Sequence, residues 1–434
     1  MLTILFLLLI SVHSKIHLAV SINGVPLINA PFIDTAKLQK LSWKIIGDEN
    51  EHQLTQATFS IKDILNQTKS STLSYILPQY QYKANTLHTI NLSITLTDGQ
   101  TINQSNQFRT TFLNTNDTWH HAKWIAGGTL LKRSLQDLPI SKQVANATAY
   151  ASGVGCFSIA MDGIKISTSY MDAGWHTLPT VRIPYRAFDV TSFFSSSTTS
   201  STTPSTTLST TLSTTLSTTL STTAPTPPPQ ELTVSLGMCK YGYQNSFCVG
   251  AHAATDVCKA FLMALHITYT DGSKSIIVTS TNDTKWFATT EANPIRYSHL
   301  YHGEQYDGRV ASNNSTQWKP AVLAMFNTGE GTSNSVPASQ TLGTPVLLSM
   351  PPLEITKQYI PISIKQIVSG NKWIFDMSNN MAGFAKVSLP RIAFIQNVPI
   401  VLKYGEVLNT DGSVNMDFCT KDGKSAAGKD CDCK

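Results

Sequence analysis

Short runs in which apolar and polar residues alternate recur along the chain. Ile90-Asn91-Leu92-Ser93-Ile94-Thr95-Leu96 is the cleanest, and residues 264–269 and 398–404 follow the same rule. A period of two sends successive side chains to opposite faces, so each run predicts a half-buried strand. Asn23-Gly24, Asp98-Gly99, Asp162-Gly163, Asp271-Gly272 and Asp411-Gly412 punctuate these runs. Asx-Gly pairs accept the positive φ angles of tight turns, and none here is followed by the acidic ladder of a calcium loop. No window of twelve or more residues carries a sustained, capped 3.6-residue apolar stripe. The pattern predicts an all-β chain of tandem β-sandwiches. An Ig/fibronectin-like sandwich is expected at residues 15–118, with Leu41-Ser42-Trp43-Lys44-Ile45 as a central strand. A larger, jelly-roll-like sandwich follows at 119–345, and a third begins at 346–434.

The alternation fails between Ser195 and Pro229, where Ser-Thr-Thr-Leu repeats run into Pro225, Pro227, Pro228 and Pro229. Such a tract has little apolar surface to bury and suits O-linked sugars. Its flanks, 182–194 and 231–236, both read as strand, so the tract is expected to be an expanded hairpin loop inside the middle sandwich. Loop-closure entropy grows only logarithmically with length and tolerates such an insertion.

Composition narrows the function classes. Net charge is +5 and only 14% of residues are charged, without a Lys/Arg block, so nucleic-acid partners are not expected. Met1 opens an apolar run from Leu2 to Ile10, too short to span a bilayer and followed by the small residue Ser14. It predicts a signal peptide at residues 1–14 and a secreted, extracellular protein without a membrane span. Asn-X-Ser/Thr triplets at Asn66, Asn91, Asn103, Asn116, Asn146, Asn282, Asn313 and Asn314 are candidate N-glycosylation sites. Seven cysteines fit an oxidising compartment but leave one unpaired. A local bridge is expected among Cys239, Cys248 and Cys258, with Cys156 as a rival partner. Cys419, Cys431 and Cys433 crowd the end, and no histidine stands at ligand spacing near them. Structural disulfides are therefore expected there and no metal, and the open set suggests that Lys434 is not a natural terminus.

The densest chemistry lies in Tyr301-His302-Gly303-Glu304-Gln305-Tyr306-Asp307-Gly308-Arg309, a composition that suggests a loop. Glu304 and Asp307 could face one pocket with Tyr306 stacked on a sugar. The plainer expectation is that Arg309 neutralises one of them in a structural ion pair. Trp175 is a further candidate for a carbohydrate-facing or interdomain position, although it and Trp286 are expected more often in a core.

Taken in order, Trp124-Ile125-Ala126, the alanine-rich stretch at 147–157, Met161-Asp162-Gly163, Gly174-Trp175 and Tyr185 resemble the bacterial-type α-L-rhamnosidases of glycoside hydrolase family 78. So do Asp189-Val190-Thr191, Leu236-Gly237 with Gly242-Tyr243, Gly303–Arg309 and Trp318. Asp376–Phe384 and Tyr404-Gly405-Glu406-Val407-Leu408 continue the resemblance, which covers about three hundred residues. Departures include Gly308 for the family's alanine, Ser378-Asn379 for Gly-Gln, the Cys239 to Cys258 insertion and the tail after Asp417. The resemblance implies that 119–345 is the family's N-terminal sandwich and 346–434 part of its concanavalin-like domain. It also implies that hydrolysis of terminal α-L-rhamnose is inverting and belongs to an (α/α)6 barrel, of which these residues carry none. No catalytic residue and no cofactor is expected here, and a rhamnose-containing glycoside would be met through the barrel. The alternative is a secreted lectin-like or adhesive glycoprotein that keeps the sandwiches without enzyme activity.

Overall fold

A computed structural model describes residues 17–415 except 35–38, 47–53, 62–64, 71–73, 78–81, 113–114, 175–181, 195–228, 238–258, 300–302, 311–316, 328–334, 368–371, 389–398 and positions 24, 29, 140 and 349. The signal-peptide segment, most of the Ser/Thr tract and six of the seven cysteines lie outside the described residues. The protein is nearly all β, with three helices of four or five residues among the described residues, and it divides into two compact units.

In the first unit a four-stranded sheet runs in the order Val25–Pro26, His17–Ile22, Gln39–Ile46, Ser74–Leu77. A five-stranded sheet runs Phe32–Ile33, Thr101–Thr110, Leu87–Leu96, Leu54–Ile61, Leu65–Ser70. Leu41 and Trp43 from the first sheet share one core with Ile90, Leu92, Ile94 and Phe108 from the second. Alternate residues of Leu87–Leu96 are buried, as the period of two requires. The expected central strand at Leu41 and Trp43 is therefore correct, and the unit is a β-sandwich.

The second unit is built on two larger sheets. One runs Val322–Leu323, Ile125–Ala126, Ala260–Tyr269, Val144–Val154, Arg182–Asp189, Thr344–Leu347, with Lys274–Val278 also paired to Ala260–Tyr269. The other runs Ile164–Lys165, Cys156–Met161, Glu231–Gly237, Leu130–Ser134, Trp286–Thr289, Lys319–Pro320. Their facing side chains make a single core. Register places the alanines of Val144–Val154 beside larger residues of the same sheet: Ala147, Ala149 and Ala151 stand opposite Ile267, Leu265 and Met263, small beside large. Residues 264–269 are not half-buried as their alternation suggests. His266 is itself buried, its ring edge-on to Tyr150, so the strand is covered on both faces.

The Ser/Thr tract is not a hairpin loop. Arg182–Asp189 pairs with Val144–Val154 in one sheet, whereas Glu231–Gly237 pairs with Cys156–Met161 and Leu130–Ser134 in the other. The insertion therefore interrupts an arch that crosses between the two layers of one sandwich. Asx-Gly turns sit where expected: Asp162 (φ 48°) and Gly163 (φ 79°) both take the left-handed conformation between Cys156–Met161 and Ile164–Lys165.

From residue 352 onward the described residues contain one two-stranded ladder, Ser363–Gln366 with Trp373–Asp376. Residues 399–404, whose alternation predicts a strand, form no strand among the described residues, and Ile400, Val401 and Tyr404 are exposed. Alternation supplies two faces, but a strand also needs a neighbour to satisfy its backbone.

Candidate functional site

Sequence reasoning leaves residues 301–309 in a loop, but the structure puts Gly303–Tyr306 in a strand paired with Ile295–His299. Ser298 faces Glu304, and the register shifts between Ile295 and Tyr297. Charged residues hid this strand, because both of its faces are wet. Glu304 and Tyr306 are two apart, share a side and are exposed, Tyr306 by 62%. Asp307 lies beyond the strand, where its backbone N–H donates to the Pro294 carbonyl oxygen at 2.8 Å.

Arg309 grips Asp307 with both arms of its guanidinium, Nε to Oδ1 at 2.8 Å and Nη2 to Oδ2 at 2.7 Å. The Arg309 backbone N–H adds a third bond to Oδ1 at 3.1 Å. These bonds hold the Asp307 carboxyl at about 2. A carboxylate fixed in that way stays ionised across the neutral range and donates no proton. The structure thus assembles the Asp307–Arg309 ion pair, and it brings Tyr306 but not Asp307 to the side occupied by Glu304. Trp175 lies outside the described residues. Trp286 is a core residue whose Nε1–H donates to the Val278 carbonyl oxygen at 2.9 Å.

A more enclosed constellation escaped the sequence reading. The segment after Ile164–Lys165 folds back so that Phe157 donates its backbone N–H to the Asp172 carbonyl oxygen at 2.7 Å, docking the segment on the strand Cys156–Met161. Asp172 is 4% exposed. Its carboxylate accepts from the Ser169 hydroxyl and from Arg186 Nε at 3.1 Å, and Arg186 stands on the opposite sheet. Burial pushes the Asp172 carboxyl above the usual carboxylate range despite these donors, and burial likewise lowers Arg186. Lys165, also lowered by burial, donates to the Ser169 carbonyl oxygen and lies 4.0 Å over the Tyr170 ring.

This folded-back segment also meets the region after residue 352. Tyr170 donates its backbone N–H to the Leu353 carbonyl oxygen at 2.8 Å, Thr168 bonds the Glu354 carboxylate, and the Tyr170 and Phe384 rings stand 5.3 Å apart. The signal was available in part: Asp172 lies two residues before Gly174 of the Gly174-Trp175 motif, and Arg186 follows Tyr185. Only the fold, however, brings them into contact.

A third cluster surrounds Arg133 on Leu130–Ser134. Its Nε donates to Asp283 at 2.9 Å, and Nη1 and Nη2 bond the two Asp137 oxygens at 2.9 and 2.8 Å. Lys285 reaches Asp137 at 2.8 Å. These bonds, that from Arg133 first, hold Asp137 well below the usual carboxylate range. Burial opposes the charge on Arg133, but Asp137 and Asp283 outweigh it and raise the guanidinium. Among the described residues no three His, Cys, Asp or Glu side chains converge as metal ligands, and no helix is long and apolar enough to cross a membrane. Of the candidate glycosylation sites, Asn91, Asn103, Asn116 and Asn282 are exposed and Asn146 is half-buried. Asn313, Asn314 and the Asn66 side chain lie outside the described residues.

Comparison with known proteins fits this architecture. The family described as "Alpha-L-rhamnosidase N-terminal domain" matches residues 142–200 and 229–341, skipping most of the Ser/Thr tract. An α-L-rhamnosidase of Formosa agariphila is 25% identical over 294 residues, covering 67% of this chain and 26% of the relative. One from Alteromonas sp. is 26% identical over 298 residues, with the same coverage. The chain thus spans about a quarter of the length of these curated relatives. In fold it is similar to the α-L-rhamnosidase of Aspergillus terreus, with TM-score 0.58 and 19% identity over 84% of this chain and 39% of that one. The Streptomyces avermitilis α-L-rhamnosidase complexed with L-rhamnose gives TM-score 0.57 and 13% identity, over 93% of this chain and 53% of that one. The sandwich that Asp172 and Arg186 tie together carries the match to the α-L-rhamnosidase N-terminal domain, and the chain as a whole is similar to the N-terminal region of α-L-rhamnosidases.

Proposed function

We propose that this chain is the non-catalytic front portion of a secreted α-L-rhamnosidase, in which residues 15–118, 119–345 and 346–434 form successive sandwiches that orient a catalytic (α/α)6 barrel. The barrel removes terminal α-L-rhamnose from a glycoside with inversion. The signal peptide, the N-linked sugars and the structural disulfides belong to the same proposal. The observation that carries it is the family match, which resumes on the far side of the tract in the opposite sheet of one sandwich.

The carboxylates support the reading from another side. Inversion needs an acid and a base roughly 6.5–9.5 Å apart across the scissile bond, with water between them. Asp307 is clasped by Arg309, Asp172 is enclosed by Ser169 and Arg186, and Asp137 and Asp283 are bound to Arg133. A sandwich whose acids are engaged in this way suits positioning better than proton transfer. The joint of Tyr170 with Leu353, Thr168 with Glu354 and Tyr170 with Phe384 is the kind of contact that fixes one module against the next.

The test is an assay of residues 15–434 with an aryl α-L-rhamnoside. Turnover is expected at background. Turnover well above background that disappears in Glu304→Gln overturns the proposal and makes the 303–309 hairpin catalytic.

A further inference from the structure

The second unit holds a cavity of about 500 Å³ away from both the hairpin and the Asp172 joint. Its volume lies within the range of small-molecule sites. The cavity is open to solvent and lined by His120, His121 and Lys123, all exposed. Ser280, Thr281 and Asn282 also line it, and Val278, Leu323 and Pro337 add apolar surface. Among the described residues no aspartate or glutamate lines it.

The walls are tied to the sandwich through their backbones. Lys123 N–H donates to the Thr279 carbonyl oxygen at 2.7 Å, Ala324 N–H to Trp124 at 2.9 Å, and Ala338 N–H to Ala324 at 2.8 Å. Each bond joins a different lining segment to its neighbour, so the cavity is framed by sheet-like contacts and does not depend on a lone loop. His120 (φ 43°) and His121 (φ 63°) both adopt the left-handed conformation, uncommon for residues with a side chain, and their rings stand 5.8 Å apart. Such backbone is found preferentially where a side chain must be aimed at a site.

We infer that this cavity is a binding site for an anionic sugar residue, a pyranose bearing a carboxylate or a sulfate. Lys123 and the two imidazoles supply donors for the anionic group. The Ser280 and Thr281 hydroxyls and the Asn282 amide match ring hydroxyls, and Val278, Leu323 and Pro337 take the C–H face of the ring. A neutral sugar would leave the basic side chains without their counter-charge, so the site discriminates by charge. The inference stands independently of the proposed rhamnosidase role, because it needs neither a barrel nor hydrolysis.

The test is a titration of the whole chain with D-glucuronate, D-glucose 6-sulfate and D-glucose, followed by NMR at the histidine ring Cε1–H signals and by calorimetry. Both anionic sugars are compared so that carboxylate and sulfate recognition are told apart. The expected result is saturable movement of the His120 and His121 signals with at least one anionic sugar and none with glucose. Lys123→Gln should bind about tenfold or more weakly, the loss typical of a hydrogen bond to a charged group, and Lys123→Arg should restore binding. Asn282→Gln is titrated in parallel, because a glycan on Asn282 would crowd the mouth. Glucose binding as tightly as glucuronate overturns the inference, as does the absence of a saturable response in both wild type and Asn282→Gln.

Discussion

Asp172–Arg186 and Asp307–Arg309 are the same chemical pair in opposite settings. Around Arg309 water is plentiful, three hydrogen bonds converge on one carboxylate, and Asp307 becomes a stronger acid, at about 2. Around Arg186 the donors are present too, yet the loss of water dominates and Asp172 becomes a weaker acid. Attraction between the partners is not what separates the two; the cost of removing each charge from solvent is. The buried pair stakes more of the fold on its integrity. It joins a segment docked on one sheet to a strand of the other, while the exposed pair closes a turn beside its own hairpin.

Substitution of each arginine in turn sharpens that contrast. Arg186→Met leaves the Asp172 charge buried without its cation and should cost about 3–5 kcal/mol of stability, read as a large drop in Tm. The sign with pH is specific. Because the Asp172 carboxyl is already raised in the folded state, the native protein takes up this proton before the unfolded chain does. Its contribution therefore grows more favourable as pH falls through the window between the ordinary carboxylate value and the raised one. Acidification should recover part of the Arg186→Met loss, and Asp172→Asn in the same background should recover it at neutral pH. A variant melting with wild type would remove the distinction between the two pairs.

Arg133 is the intermediate case: the guanidinium is enclosed while its carboxylates reach solvent. Arg133→Met is expected to cost about 2 kcal/mol, because freed Asp137 and Asp283 can partly rehydrate. Here the sign is reversed. Asp137 is depressed in the folded state, so its stabilisation is complete above the unfolded carboxylate value and disappears as pH falls toward the folded one. The variant should lose less stability on acidification than wild type does. A thermal scan from neutral to acid pH that gives parallel curves would disprove this.

Arg309→Ala should have the smallest effect, with no measurable change in Tm, because both partners are solvated. What should move is the Asp307 titration, followed by NMR, from about 2 toward the ordinary value of 3.8. A clear fall in Tm would show that this pair holds more than its turn.

How far these features are readable in advance depends on how local their causes are. The Asp162-Gly163 turn and the Leu87–Leu96 strand follow from neighbours along the chain, and both stand as their residues predict. Asp283 reaches Arg133 from 150 positions away, and Asp172 meets Arg186 only because one segment folds back onto Cys156–Met161. No local pattern encodes such partners. Gly303–Tyr306 was hidden for a different reason, since a strand wet on both faces lacks the alternation that marks a buried one. Residues 399–404 err the other way, with alternation present but no strand formed among the described residues.

The arch between the sheets has a further consequence for the Ser/Thr tract. Each flanking strand takes its register from partners in its own layer, so residues added to or removed from the tract shift no ladder. Length there is free to drift without cost to the sandwich beneath. Yet a tether planted at both ends must return to where it began, which limits its reach to half its contour, about 60 Å for residues 195–229 at roughly 3.5 Å each. The insertion therefore lengthens a connection inside one sandwich and not a link between modules.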